Sequence, residues 1–136
     1  MNQQIYLDNA ATTRIADAVR VEMEPYLGEN FGNASTSYGI GQVSKEAMEK
    51  SREIIAGTLQ AKKEEIFFTS GGSESDNWAI KGIAGALKDI GHHIITSSIE
   101  HHAVLNSCEY LERLGYEVTY LKPDAYGMVS PETVQA

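Results

Sequence analysis

Apolar positions along the chain fall into blocks that alternate between two periods. Residues 16–27 carry Val19, Met23 and Leu27 four apart, on one face of a helix, and Pro25 is expected to kink or stop it. Helical spacing returns from Ile40 to Ala61, with Val43, Ala47, Ile54, Ile55 and Leu59 as the candidate buried stripe. Glu65-Ile66-Phe67-Phe68-Thr69 then reads as a short buried strand. Ser70-Gly71-Gly72-Ser73 breaks it, and a helix is predicted to about Ile90, with Trp78, Ile83 and Leu87 in its apolar set. His93-Ile94-Ile95-Thr96 predicts a second strand, and residues 102–114 a helix with Val104, Leu105, Cys108, Leu111 and Leu114 inward. Glu117-Val118-Thr119-Tyr120-Leu121 predicts a further strand. At the start, Ile5-Tyr6-Leu7 is strand-like and runs into the small polar segment Asp8-Asn9-Ala10-Ala11-Thr12-Thr13.

Strands thus alternate with helices long enough to cross over. That order predicts an α/β fold, a mainly parallel sheet with helices on both faces. Residues 28–41, with four glycines, form the longest predicted loop, and long loops inside compact domains are more often functional than merely mobile. Ser130-Pro131-Glu132 has the order of a helix start, with Ser as N-cap and Pro at the first helical position. Only a few residues follow, too few for a stable helix, so the chain is expected to be cut short; a frayed tail is the alternative.

Composition narrows the function classes. Of 136 residues, 42% are hydrophobic and 22% charged, which argues for one folded domain. A formal charge of −8 leaves no cationic excess to displace phosphate counterions, so non-specific nucleic-acid binding is not expected. A small anionic ligand needs only a local positive field. Cys108 stands alone and forms no internal disulfide, which makes a reducing compartment the default. There is no basic and apolar leader at Met1, and no apolar run nears the ~18 residues of a membrane span. A cytoplasmic protein with no membrane partner is expected.

Two segments carry candidate chemistry. Ser70-Gly71-Gly72-Ser73 joins a predicted strand to a helix, at the end of an α/β strand where ligands bind. Glycines allow close backbone approach, and the free N–H groups of a helix start attract anions. The segment has neither Walker A nor dinucleotide-binding spacing. It can equally be a self-capped helix, with Ser73 as N-cap and Glu74, Ser75 and Asp76 stabilising the first turn. The second segment, Ser97-Ser98-Ile99-Glu100-His101-His102, follows the next strand. Parallel strands end on the same side, so a histidine there can face the same cleft to stack on a ligand or move protons; solvent or Glu100 can equally satisfy it. His92-His93 and His101-His102 are separated by about 26 Å of extended chain, so no metal site is expected. Cys108 reads as a small buried hydrophobe.

In order, these segments resemble the pyridoxal-phosphate-dependent cysteine desulfurases of the class V aminotransferase group. The matching stretches are Ile5-Tyr6-Leu7-Asp8-Asn9-Ala10-Ala11-Thr12-Thr13, Phe31-Gly32-Asn33-Ala34-Ser35, and Phe68-Thr69-Ser70-Gly71-Gly72-Ser73-Glu74-Ser75-Asp76-Asn77. Ile94-Ile95-Thr96-Ser97 with Glu100-His101 and Ala103-Val104-Leu105, then Tyr116–Leu121, complete the set. Ala34 stands in place of a usual proline, and Tyr38 where a histidine is common.

The resemblance implies part of the large domain of a fold-type I pyridoxal 5'-phosphate (PLP) transferase, with residues 1–14 as an N-terminal segment packing toward the small domain and 15–136 as the N-terminal part of the PLP-binding domain. It implies that Gly72 and Ser73 hold the cofactor phosphate and that His101 stacks on its ring and assists proton transfer. Asn9, Ala11, Thr12 and Asn33 would belong to substrate-side loops. The substrate implied is L-cysteine, converted to L-alanine with sulfur passed to an enzyme cysteine as persulfide. The full-length enzyme would be a homodimer feeding an iron–sulfur scaffold or another sulfur acceptor. The family's Schiff-base lysine follows a histidine, and no His-Lys pair occurs here; the persulfide cysteine also comes later in the family, and Cys108 matches neither. The 136 residues alone are therefore expected to be inactive. Alternatives are a selenocysteine lyase, an aminotransferase for another amino acid, or a non-catalytic ligand- or partner-binding product.

Overall fold

The structure, a computed structural model, describes residues 5–135, which fall into two compact units divided between Phe67 and Phe68. In the first unit α1 spans Asp17–Met23 and passes into a 3-10 turn, Glu24–Leu27, with Pro25 in its first turn. Proline has no N–H to continue the α ladder, which is why the predicted helix changes pitch there. α2 spans Gly39–Leu59, and a separate 3-10 turn, Lys63–Glu65, follows it.

The loop before α2 is ordered by its own polar groups. The Asn33 side chain accepts from Ser35 N–H at 2.9 Å, and the Asn33 carbonyl accepts from Thr36 N–H at 3.0 Å and Thr36 Oγ1 at 2.8 Å. Ser44 Oγ donates to the Asn30 carbonyl at 3.2 Å and Gln42 Nε2 to the Thr36 carbonyl at 3.0 Å, which fastens the loop to α2. Gly41 is buried against it; a Cβ there would strike Thr36 Oγ1 and the Asn33 carbonyl oxygen.

In the second unit α3 (Gly72–Ala86) leads to β1 (His93–Ser97), α4 (His102–Arg113) and β2 (Glu117–Leu121), and α5 (Pro131–Gln135) follows. β1 and β2 pair in parallel, from His93 opposite Glu117 to Ser97 opposite Leu121, with α4 as the crossover. α4 buries Ala103, Ser107, Cys108 and Leu111, one stripe at helical spacing, and α3 adds Ala84. These side chains are mostly small, which lets helix axes approach closely. Ser107 is satisfied within its own helix by donating to the Ala103 carbonyl at 2.7 Å. α4 closes with Tyr116 N–H bonded to the Leu111 carbonyl and Gly115 N–H to the Glu112 carbonyl, with Gly115 at φ +92°, a left-handed position that suits glycine. α2 ends the same way with Gln60 at φ +54°.

Three expectations are corrected. Ile66–Thr69, expected within a strand, belongs to no sheet among the described residues, where β1 and β2 form the sheet by themselves. A strand exists only through a neighbour's ladder, and here the Ile66 carbonyl accepts from the Arg52 guanidinium instead. Ile5–Leu7 likewise forms no strand. The apolar stripes of α2 and α3 are not buried: Ile54 is 61% exposed and Trp78 54%. Periodicity reports which face is apolar; burial needs a surface to cover it.

With Phe67, Trp78, Ile83 and many other large apolar side chains open to solvent, the 136 residues by themselves are expected to self-associate; light scattering at micromolar concentration checks this, and a clean monomer would contradict it. Replacing Gln60 by Gly removes a strained left-handed side chain and is expected to stabilise the first unit by about 0.5–1 kcal/mol in urea denaturation.

Candidate active site

The candidate site lies where α3 and α4 begin. Lys81 Nζ on α3 sits 4.6 Å above the Tyr110 ring on α4. Past the end of α4, Tyr116 O–H donates to the Ala84 carbonyl of α3 at 2.7 Å. Gly72 and Ser73 open α3 and His101 caps α4, two helices of the second unit that pack on each other. Asn9, Ala11, Thr12 and Asn33 lie in the first unit. There Asn9–Ala11 forms a turn, with Ala11 N–H bonded to the Asp8 carbonyl at 3.1 Å, and the Asn33 side-chain oxygen is committed to its own loop.

The N-cap of α3 is Gly71, not Ser73 as the sequence suggested. Glycine has no side chain to accept from the first-turn N–H groups, and no side-chain cap is made there. A Cβ added at Gly71 or Gly72 would meet nothing within 4 Å. The helix thus opens with uncapped donors, the positive end of its dipole, clear space and the Ser73 hydroxyl. This donor set fits a phosphate. The turn itself is braced from behind: Glu74 accepts from Ser70 N–H at 2.6 Å, Thr69 Oγ1 and Ser75 Oγ are 2.7 Å apart, and both hydroxyls reach the Gly71 carbonyl. The Ser70 hydrogen bonds hold the Glu74 carboxyl below its ordinary range. Ser73 is fixed by its carbonyl, which accepts from Asn77 Nδ2 at 2.8 Å; Asn77 Oδ1 in turn accepts from Lys81 at 2.5 Å.

α4 is capped by the His101 ring itself. Nδ1 accepts from Ala103 N–H at 3.1 Å, so neither solvent nor Glu100 is the ring's partner on that side. With Nδ1 an acceptor, the proton of the neutral ring sits on Nε2. His102 stands beside it, the ring centroids 6.2 Å apart. The sequence placed Glu74 among the residues stabilising the first turn; its reach back to Ser70 and the histidine cap come from the structure. A glutamate three residues after an N-cap is the spacing of a capping box, a signal the Gly-Gly pair obscured. Among the described residues, no group of three or more His, Cys, Asp or Glu is placed to hold a metal, and no helix is long and apolar enough to cross a membrane.

Comparison with known proteins bears on the same elements. The family model described as aminotransferase class-V matches residues 5–136. The chain is 58% identical over 134 residues to the cysteine desulfurase IscS of Methanosarcina thermophila, covering 98% of this chain and 33% of that protein. It is 50% identical over 135 residues to the IscS of Dictyoglomus turgidum, covering 99% and 34%. Among solved structures, a NifS-like protein superposes with a TM-score of 0.92 at 40% identity, over 98% of this chain and 36% of that one. A structure of SspA in complex with cysteine gives 0.88 at 45%, over 96% and 38%. The chain therefore spans about a third of the length of the relatives it matches, and its fold is the α/β fold of that group.

Cys108 is 1% exposed, and burial, with Glu112 and Glu100 nearby, pushes its thiol up. It is expected to resist iodoacetamide at neutral pH until the protein is unfolded, a contrast that mass spectrometry of labelled protein reads directly.

Proposed function

The chain belongs to the aminotransferase class-V family, and from that premise we propose that the protein carrying it is a cysteine desulfurase. It would take L-cysteine to L-alanine and pass the sulfur to an enzyme cysteine as persulfide, for iron–sulfur cluster or thio-cofactor assembly. The observation that carries the reading is the uncapped, glycine-opened start of α3, a helix packed on α4, whose own start is capped by His101. An anionic group on one helix start and a flat ring at the next suit pyridoxal 5'-phosphate. Relatives named cysteine desulfurase, and one solved with cysteine, support the choice of substrate.

Each of the chain's own residues then has a task. Gly72 and Ser73 bind the phosphate through first-turn N–H groups and the hydroxyl. The Asn77–Lys81–Tyr110 chain keeps Ser73 from drifting relative to α4. His101 lies against the cofactor ring and moves a proton at Nε2, because Nδ1 is held by Ala103 N–H. Asn9, Ala11, Thr12 and Asn33 belong to the substrate side. Residues 1–14, of which 1–4 lie outside the described residues, would be the N-terminal segment that packs toward the small domain, and 15–136, of which Ala136 lies outside them, would begin the cofactor domain. When bound, the cofactor supplies an electron-withdrawing ring that stabilises negative charge next to the reacting carbon. The activity belongs to the whole protein, working as a cytoplasmic homodimer that delivers sulfur to a scaffold or other acceptor.

Alanine and sulfide release from L-cysteine, measured on the natural full-length protein with reductant, tests the reading; no alanine from cysteine would refute it. His101→Ala is expected to cost at least about a hundredfold in kcat, whereas Cys108→Ala should leave activity within about threefold.

A further inference from the structure

A helix start is ordinarily satisfied in two directions. In a capping box the N-cap side chain accepts from the N–H of the third helical residue, while the glutamate at that position reaches back to the backbone at the N-cap. α3 makes neither half in that form. Glu74, third in the helix, reaches one residue past the N-cap, to Ser70 N–H at 2.6 Å, and Gly71 has no side chain to make the forward half. Glu74 is thereby engaged with Ser70 and not with the helix's own donors; the missing forward half is the one an anion would fill.

We propose that Glu74 is a positioning residue for the cofactor phosphate: by holding Ser70 N–H it fixes the Ser70-Gly71-Gly72 turn with the first-turn N–H groups of α3 open to the phosphate. The proposal rests on the PLP reading above and adds to it a residue that does not touch the ligand. A carboxylate is an unexpected neighbour for a dianion, since like charges repel. Its hydrogen bond resolves the difficulty: the carboxylate is tied to Ser70, behind the turn, and serves as an acceptor. The Thr69–Ser75 hydroxyl pair, bonded to the Gly71 carbonyl, braces the same turn from the other end. Length of reach and capacity to accept are therefore what matter at residue 74, and negative charge is not.

Substitution separates these properties. In the natural full-length protein, binding of pyridoxal 5'-phosphate and of pyridoxal, which lacks the phosphate, is followed by visible absorbance for wild type and for Glu74→Ala, Glu74→Asp and Glu74→Gln. Glu74→Ala should weaken pyridoxal 5'-phosphate about tenfold, the scale of one lost positioning hydrogen bond, and leave pyridoxal within about twofold. Glu74→Asp keeps the charge but is one methylene too short, and should lose the phosphate preference to a similar extent. Glu74→Gln keeps reach and acceptor, and should stay within about threefold of wild type. Equal weakening of both ligands by Ala or Asp, wild-type affinity in either, or a Gln variant as weak as Ala overturns the proposal. If Glu74→Ala does not fold, the Asp and Gln variants decide alone. A wild-type protein that binds no pyridoxal 5'-phosphate removes the PLP reading itself, an outcome separate from those that remove only Glu74.

Discussion

The packing of α3 against α4 is the constraint on which the second unit depends. It exists because each helix offers small buried side chains, Ala84 on one and Ala103, Ser107 and Cys108 on the other. Register along the axes is set by polar contacts with directional demands, Lys81 over the Tyr110 ring and Tyr116 to the Ala84 carbonyl. Apolar packing alone would tolerate a slip between the helices; a cation above a ring and a hydroxyl on a particular carbonyl do not. Gly72 and Ser73 at the start of one helix and His101 at the start of the other are carried by that packing.

The two helix starts are satisfied differently, and the difference divides the labour. α4 is closed by its own N-cap: the His101 ring occupies an orphan N–H, and this also fixes which ring nitrogen carries the proton. α3 is left open in front and braced behind by Glu74, Thr69 and Ser75. The net charge of −8 does not oppose the proposed phosphate site, because the field that matters there is that of oriented N–H groups over a few ångströms and is little affected by distant, screened carboxylates.

The exposed apolar faces of α2, α3 and the Phe67-Phe68 segment agree with the comparisons. A chain matching about a third of its relatives' length carries apolar positions whose counterparts in the relatives sit in a larger protein. The rule that reads amphipathic stripes as buried is sound about the stripe, and it leaves open where the covering surface comes from. For α4 the cover is local, supplied by α3 and β2; for Ile54 and Trp78 it is not, and the same periodicity ends in solvent.

Much of this protein was legible in its residue order. Helix and strand limits for α1, α2, α4, β1 and β2, the break at Pro25, the helix start at Ser130 and the glycine turn before α3 all rest on local chemistry: side-chain period, a missing N–H, a hydroxyl that caps. Resemblance of ordered motifs carried the family as well. Tertiary structure alone decided that Ile66–Thr69 joins no ladder, that Gly71 and not Ser73 is the N-cap, that Glu74 reaches back to Ser70, and that His101 closes its own helix. Local propensity depends on neighbours in sequence, which the chain states outright. Pairing, burial and the direction a polar side chain takes depend on neighbours in space, and those exist only once α3 and α4 have found their register.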